Sequence, residues 1–244
     1  MNQTIQEIFQ RKSVRAYSDE KITDQEKELI LQSALQAPTA GNMTLYSIIE
    51  VKDQKIKDQL AVLCDHQPFI AKAPLVLLFL ADYQKWYDMF EEYDIDIPKL
   101  EEADMMLAME DCMIAAQNAV VAGESLGIGS CYIGDILENY ETHQKLFHLP
   151  KYAIPTTLLV FGKPTPQQIK REKPKRFDVE DIVSIDTYHH YTTDETKEIF
   201  MKQTGKSEED LQTYLETFSK RKLRADFHQE MNRSVKKMIE SWKE

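Results

Sequence analysis

Apolar residues fall along this chain in two rhythms, and the places where one gives way to the other outline its elements. Residues 3–12 carry Ile5, Ile8 and Phe9 at helical spacing, which predicts a short amphipathic helix. Thr23 followed by Glu26 makes a capping box, and Leu29, Ile30 and Ala34 give the next segment a helical apolar face that ends at Pro38. Leu45 to Val51 predicts a strand. Leu75 to Leu80 is a continuous apolar run, the pattern of a strand buried on both faces, and a helix fits between the two. Residues 101–126 hold the longest helical pattern, rich in alanine and in methionine (Met105, Met106, Met109, Met113). Asp104, Glu110, Asp111, Gln117, Asn118 and Glu124 interrupt it and exclude a membrane span, so it reads as a central core helix or a subunit-contact helix. Cys131 to Gly134 predicts a short strand with a bend, and Thr156 to Phe161 an apolar strand closed by Gly162. From Asp178 the charge density rises and strands disappear. Residues 193–241 read as two or three exposed helices, one started by Ser207 and Asp210, whose apolar side (Leu211, Tyr214, Leu215, Phe218) needs cover. The order predicts an α+β chain built around a modest sheet.

Composition narrows the function classes. The chain has 244 residues, 42% of them hydrophobic, which suffices for a substantial core. Its net charge is −11, from 41 acidic against 30 basic side chains, and this disfavours nucleic acid and anionic membranes as partners. The three cysteines, Cys64, Cys112 and Cys131, are widely spaced and form no Cys-x-x-Cys pair, which fits reduced thiols and argues against a disulfide or zinc framework. With no apolar signal core at the N-terminus, the expectation is a cytoplasmic protein. Gly123, Gly127 and Gly129 follow a helix instead of opening one, so they do not make a dinucleotide-binding fingerprint.

Against the acidic background, Arg11, Lys12, Ser13 and Arg15 stand out as an anion site in the making. Guanidinium groups grip phosphate oxygens in pairs, an ammonium adds a point charge and a serine adds a donor, a set that suits a phosphate monoester; the alternative is a solvated turn after a short helix. Lys170 to Arg176 is a second cationic loop, and Arg221, Lys222 and Arg224 a third group in the tail. The loop Ala37 to Asn42 is made of small and turn-forming residues that let something approach its backbone. No Ser/His/Asp or Cys/His constellation presents itself, and the pair His189-His190 reads as surface.

Taken in order, Arg11 to Arg15, Ala37 to Asn42, Gln67 with Ala73-Pro74, Gln117-Asn118-Ala119 through Gly127, Tyr132-Ile133-Gly134, Leu149-Pro150 and Phe161 to Pro164 resemble the flavin-dependent nitroreductase family. The resemblance is to the oxygen-insensitive nitroreductases and NADPH–flavin reductases with a helical C-terminal extension. It implies a nitroreductase-like α+β fold whose central sheet, mixed but mostly antiparallel, is flanked by helices. Residues 1–177 would be the FMN-binding core, and residues 178–244 an extension packed on the core or on a partner. It also implies a homodimer with FMN at the subunit interface, no metal, and hydride transfer from NADPH, preferred over NADH, to nitroaromatics, quinones or flavins by a ping-pong mechanism. The alternatives are a dedicated reductase supplying free reduced FMN and a non-catalytic flavin-binding dimer. Residue by residue, Arg11, Lys12, Ser13 and Arg15 match the segment that holds the phosphate and ribityl chain, and Lys173 and Lys175 match the second basic loop on the same phosphate. Gln67 matches a contact to the pyrimidine edge or ribityl region, and Thr39, Ala40, Gly41 and Asn42 match the loop along the ring from the other subunit. Tyr132, Ile133 and Gly134 match the segment beside the redox edge, with Asp135 next to it. Arg221 and Arg224 lie roughly where the 2′-phosphate of NADPH is held. The chain departs from the family pattern with Arg11 for His, Asp135 for Gly and Lys175 for Arg.

Overall fold

The computed structural model describes residues 1–243, which gather into two compact units: Met1–Arg171 with the chain from Glu230 onward, and Glu172–Gln229. The first unit holds α1 (Gln3–Gln10), α2 (Asp24–Leu35), β1 (Tyr46–Glu50), α3 (Gln54–Leu63), α4 (Pro68–Ala71), β2 (Leu75–Asp82), α5 (Gln84–Glu92), α6 (Glu102–Ser125), β3 (Gly129–Ile133), α7 (Tyr140–Leu146), β4 (Ala153–Gly162) and α8 (Pro166–Lys170). The second holds α9 (Val179–Ile182), α10 (Thr193–Thr204) and α11 (Glu208–Lys222), and α12 (Asp226–Lys243) starts in it and ends in the first.

The sheet has four strands in the order β1-β2-β4-β3, every pairing antiparallel. All eight residues of β2 and all ten of β4 are buried, because helices cover both faces. On one face Leu75, Leu77, Phe79, Leu159 and Phe161 pack with Ile30 and Ala34 of α2 and Cys112, Ala115, Ala116, Ala119 and Val120 of α6. On the other, Val76, Leu78, Leu80, Leu158 and Val160 pack with Leu60, Ala61 and Cys64 at α3 and Ile70 of α4. The uninterrupted apolar runs are therefore two alternating faces read together. The register shifts between Phe79 and Leu80 of β2, where β4 carries Pro155 and Thr156. A proline in a central strand is tolerated at such a bulge, and the freed N–H of Ala81 donates to Thr156 Oγ1 at 3.1 Å.

The α2 capping box forms as the sequence predicts, with Thr23 and Glu26 each accepting from the other's backbone. One apolar expectation is corrected: Ile30 and Ala34 are buried on α2, but Leu29 is 43% exposed. The amphipathic helix expected at the start of the chain forms as α1, with none of Ile5, Ile8 and Phe9 buried. On α6, Met105 is buried while Met106, Leu107, Met113 and Ile114 lie at the surface. The helix is long and apolar enough by length and composition to cross a membrane, but its buried stripe lies on the sheet and on α2, as a core helix requires.

The tail also differs from its expected exposure. Ser234, Met238 and Trp242, spaced four apart on α12, are buried, and Met238 and Trp242 join Leu45, Met105, Tyr140, Tyr152 and Ile154 in a third apolar cluster of the first unit. Within the second unit, Thr192 caps α10 with Glu195, Gly205 closes it in the left-handed conformation, and Ser207 caps α11 through the Asp210 N–H.

Candidate functional site

The basic segment leaves α1 and lies across the end of the sheet. Val14 N–H donates to the Ser130 carbonyl at 2.9 Å, Ser18 N–H to Lys163 at 2.8 Å, and Tyr17 bridges to Pro164. Two glycines make the seat. Gly129 and Gly162 face each other across β3 and β4, and a Cβ on either would come within 2.3 Å of Val14 or Tyr17 respectively. This close approach fixes where Arg11 to Arg15 are displayed.

The cations have separate tasks. Arg11, at the end of α1, lies over the Tyr132 ring at 5.8 Å, and its Nε and Nη2 are buried with no hydrogen-bond partner. Lys12 Nζ donates to the Ile169 carbonyl at 2.6 Å and to the Arg171 carbonyl, so it fastens the segment to the end of α8. Arg171 returns the bond, Nη2 to the Ser13 carbonyl at 2.7 Å, and Gln168 Oε1 accepts from Arg15 N–H at 3.2 Å. Arg15 lies over the Phe69 ring at 5.7 Å. The segment therefore meets a second basic element through Arg171. Lys173 and Lys175 belong to the second unit, where Lys175 Nζ donates to the Lys202 carbonyl at 2.7 Å.

Phe69 follows Gln67, the N-cap of α4. Gln67 Nε2 donates to the Cys64 carbonyl at 2.9 Å and to Asp135 Oδ2 at 2.6 Å. Asp135 stands on the 3₁₀ turn Gly134–Leu137 that follows β3. Its neighbour one turn on, Glu138, is 5% exposed with Oε1 unpartnered; burial first, then the nearby charges of Asp135, Asp65 and Glu230, push its carboxyl up to about 7. His143, fully buried beside this turn, is pushed down to about 4 by the same desolvation. Tyr132 hydroxyl donates to Gln117 Oε1 at 3.1 Å, and burial lifts its pKa to about 12, so it stays a neutral donor. Ile133 is buried in the core, whereas a Cβ on Gly134 would meet nothing within 4 Å. Gly134 lacks a positive φ as well, so neither packing nor backbone strain within this chain explains its missing side chain.

The loop Thr39–Asn42 hangs from α6. Asp111, 3% exposed, accepts from the Thr39 hydroxyl, from Ala40 N–H at 2.9 Å and from Leu45 N–H at 3.2 Å. Gly41, Asn42 and Thr44 all have positive φ (54°, 60° and 53°), a conformation costly for a β-branched threonine. Asp65 and His66, just before Gln67, are left-handed too (57° and 52°), so both loops that carry expected site residues include left-handed positions.

Within one chain Arg11 meets Tyr132, Arg15 meets Phe69 and Gln67 bonds Asp135, while the Thr39–Asn42 loop is held on Asp111. Two roomy clefts, about 560 Å³ beside Tyr87, Asp96 and Lys151 and about 680 Å³ beside Gln59, Val62 and Leu146, hold none of the expected residues. Arg221 and Arg224 are exposed on the second unit, Arg221 over the Phe218 ring at 5.4 Å. Among the described residues no group of His, Cys, Asp or Glu is placed to hold a metal, and all three cysteines are free and buried. Sequence reasoning missed Asp111, Glu138 and the glycine pair, and named Arg171 only as part of the cationic loop Lys170 to Arg176. Of those missed, Asp111 carried a signal, as a carboxylate on an otherwise apolar helix.

Comparison with known proteins places these features in company. The model of the nitroreductase family matches residues 8–163. A Bacillus subtilis protein named FMN reductase (NADPH) is 33% identical over 196 residues, 80% of this chain and 78% of its own. The oxygen-insensitive NADPH nitroreductase of Salmonella typhimurium is 30% identical over 164 residues, 67% of each chain. Among solved structures, NfrA2 of B. megaterium superposes with a TM-score of 0.81 at 27% identity, covering 100% of this chain and 98% of that one.

Proposed function

The chain belongs to the nitroreductase family, and from that premise we propose that it is an FMN-dependent oxidoreductase taking hydride from NADPH and delivering it to a nitroaromatic, a quinone or a free flavin. The observation that carries this reading is Arg11. Two buried guanidinium nitrogens without acceptors are a standing cost in the protein alone, and they are matched by a phosphate monoester, whose oxygens take charge-assisted bonds. The open side of Gly134 supports it, since a flat ring against that backbone gives its missing Cβ a reason.

Arg11, Ser13 and Arg15 would hold the phosphate and ribityl chain, with Lys12 and Arg171 keeping the segment in place. Gln67 would read a polar edge of the ring system. Tyr132, Ile133 and Gly134 would line its redox edge and turn a backbone donor towards it. FMN bound there supplies a two-electron carrier that accepts and releases hydride, so no side chain of the protein has to act as acid or base. The residues then have the work of alignment, with donor and acceptor using one pocket in turn, a ping-pong order.

A homodimer completes the reading. The exposed Ile5 of α1 and Met106, Leu107, Met113 and Ile114 of α6 are apolar surface in want of cover, and the Thr39–Asn42 loop, held apart on Asp111, would serve the partner's ring. Arg221 and Arg224 would take the 2′-phosphate of NADPH. The purified protein is expected to show a flavin spectrum, or gain one with added FMN, and to bleach under anaerobic NADPH. A colourless protein that takes up no FMN sinks the proposal.

A further inference from the structure

Asp135 follows Gly134 on the 3₁₀ turn after β3, and its geometry gives it a task. Both amide hydrogens of Gln67 are spent, one on the Cys64 carbonyl at 2.9 Å and one on Asp135 Oδ2 at 2.6 Å. Each partner is purely an acceptor, a carbonyl and a carboxylate, so chemistry allows the Gln67 amide one orientation. The backbone is pinned as well: Gln67 N–H donates to Ala61 at 2.7 Å and its carbonyl accepts from Ile70 at 3.1 Å. Oε1 of Gln67 is then the atom left over, with no bond from the protein among the described residues. We propose that Asp135 is a positioning residue that locks Gln67 with its amide oxygen turned to the cofactor, so that the site demands a hydrogen-bond donor there, an imide N–H or a ribityl hydroxyl.

The inference rests on the flavin reading above. It gains support from Glu138, which caps the same 3₁₀ turn three residues after Asp135. Glu138 is buried with one carboxyl oxygen short of a partner, and it takes up a proton more readily than an ordinary carboxyl, whereas the Asp135 side chain is spent on Gln67. A glycine at this position has no side chain to do this, and its Gln67 would be free to turn either way.

The test compares Asp135→Leu with Asp135→Asn, measuring dissociation constants for FMN and for 3-methyl-FMN by flavin fluorescence, with thermal melts as a check on folding. The asparagine variant keeps an acceptor oxygen for Gln67 and the leucine variant does not. The expected result is FMN binding weakened roughly tenfold in D135L and by no more than about threefold in D135N. If D135L also loses the wild-type preference for FMN over 3-methyl-FMN, the donor is the imide; if the preference survives, the donor is a ribityl hydroxyl. Equal weakening in the two variants would assign the effect to charge and overturn the lock, as would unchanged binding in both. A wild-type protein that binds no FMN is a different failure, that of the flavin reading itself.

Discussion

Asp111 is 3% exposed, and a carboxylate taken that far from water persists only while hydrogen bonds replace its hydration. It finds them in Thr39, Ala40 and Leu45, so one side chain on a core helix sets the course of a strained loop. Asp111→Ala leaves the Thr39 hydroxyl and two backbone N–H groups without their acceptor. The expected loss is about 3 kcal/mol, read by urea denaturation, and unchanged stability would mean that water satisfies the loop instead. Glu138 poses a different problem, a carboxyl with too few partners. Its pKa rises from 4.5 to about 7 on folding, so the native state prefers the protonated form. Below pH 4.5 both states are protonated and nothing is lost; as pH climbs towards 7 the unfolded chain ionises first and stability falls. Glu138→Gln removes that loss, on the order of 1 kcal/mol once solvent screening is allowed for. Thermal melts should then show E138Q above wild type at about pH 8 and level with it at about pH 4. The opposite order would mean that the Glu138 carboxylate is satisfied in the fold.

At the scale of elements, the site depends on what β3 and β4 lack. Gly129 and Gly162 face each other, and Val14 and Tyr17 occupy the room that two side chains would take. Gly129→Ala would put a Cβ 2.3 Å from Val14 Cγ2 and 2.8 Å from its Cβ, and Val14 is buried. The segment must lift, at a cost of about 2 kcal/mol, and the cations that ride on it must move. G129A is expected to lower both the melting temperature and the FMN retained per chain, and adding Val14→Ala should recover part of each; a G129A protein that keeps its flavin would show the segment seated by other means. The cationic pattern of residues 11–15 and the capping box at Thr23 were legible in the sequence because both are local. The seat was not, because Gly129 and Gly162 are brought opposite each other only by the register of two strands. Nor did apolar spacing on α1 and α6 distinguish residues covered within this chain from those left exposed by it.

For the whole molecule the consequential fact is that the first unit is not continuous in sequence: the chain leaves it after Arg171 and returns at Glu230. The return is hard to read in advance, since the buried stripe of α12 is only Ser234, Met238 and Trp242 among many charges. Its anchoring is nonetheless thorough. Tyr140 N–H donates to Ser234 Oγ at 2.9 Å, Arg233 holds Glu141 through two bonds of 2.8 Å, and Trp242, fully buried, meets Tyr152 edge-on at 5.3 Å. A tail fixed in this way is part of the fold, not an appendage to it. Trp242→Ala opens a cavity in the cluster of Leu45, Tyr140, Tyr152 and Ile154 and should cost about 3 to 5 kcal/mol, a fall in melting temperature on the order of 10 °C for a chain of this size. Trp242→Phe keeps most of the volume and loses only an indole N–H that has no partner, so it should recover most of the loss. A chain ending at Gln229 removes the whole stripe and should fail to melt cooperatively. If W242A instead melts within about 2 °C of wild type, α12 is dispensable, and the boundary between core and tail belongs near residue 172.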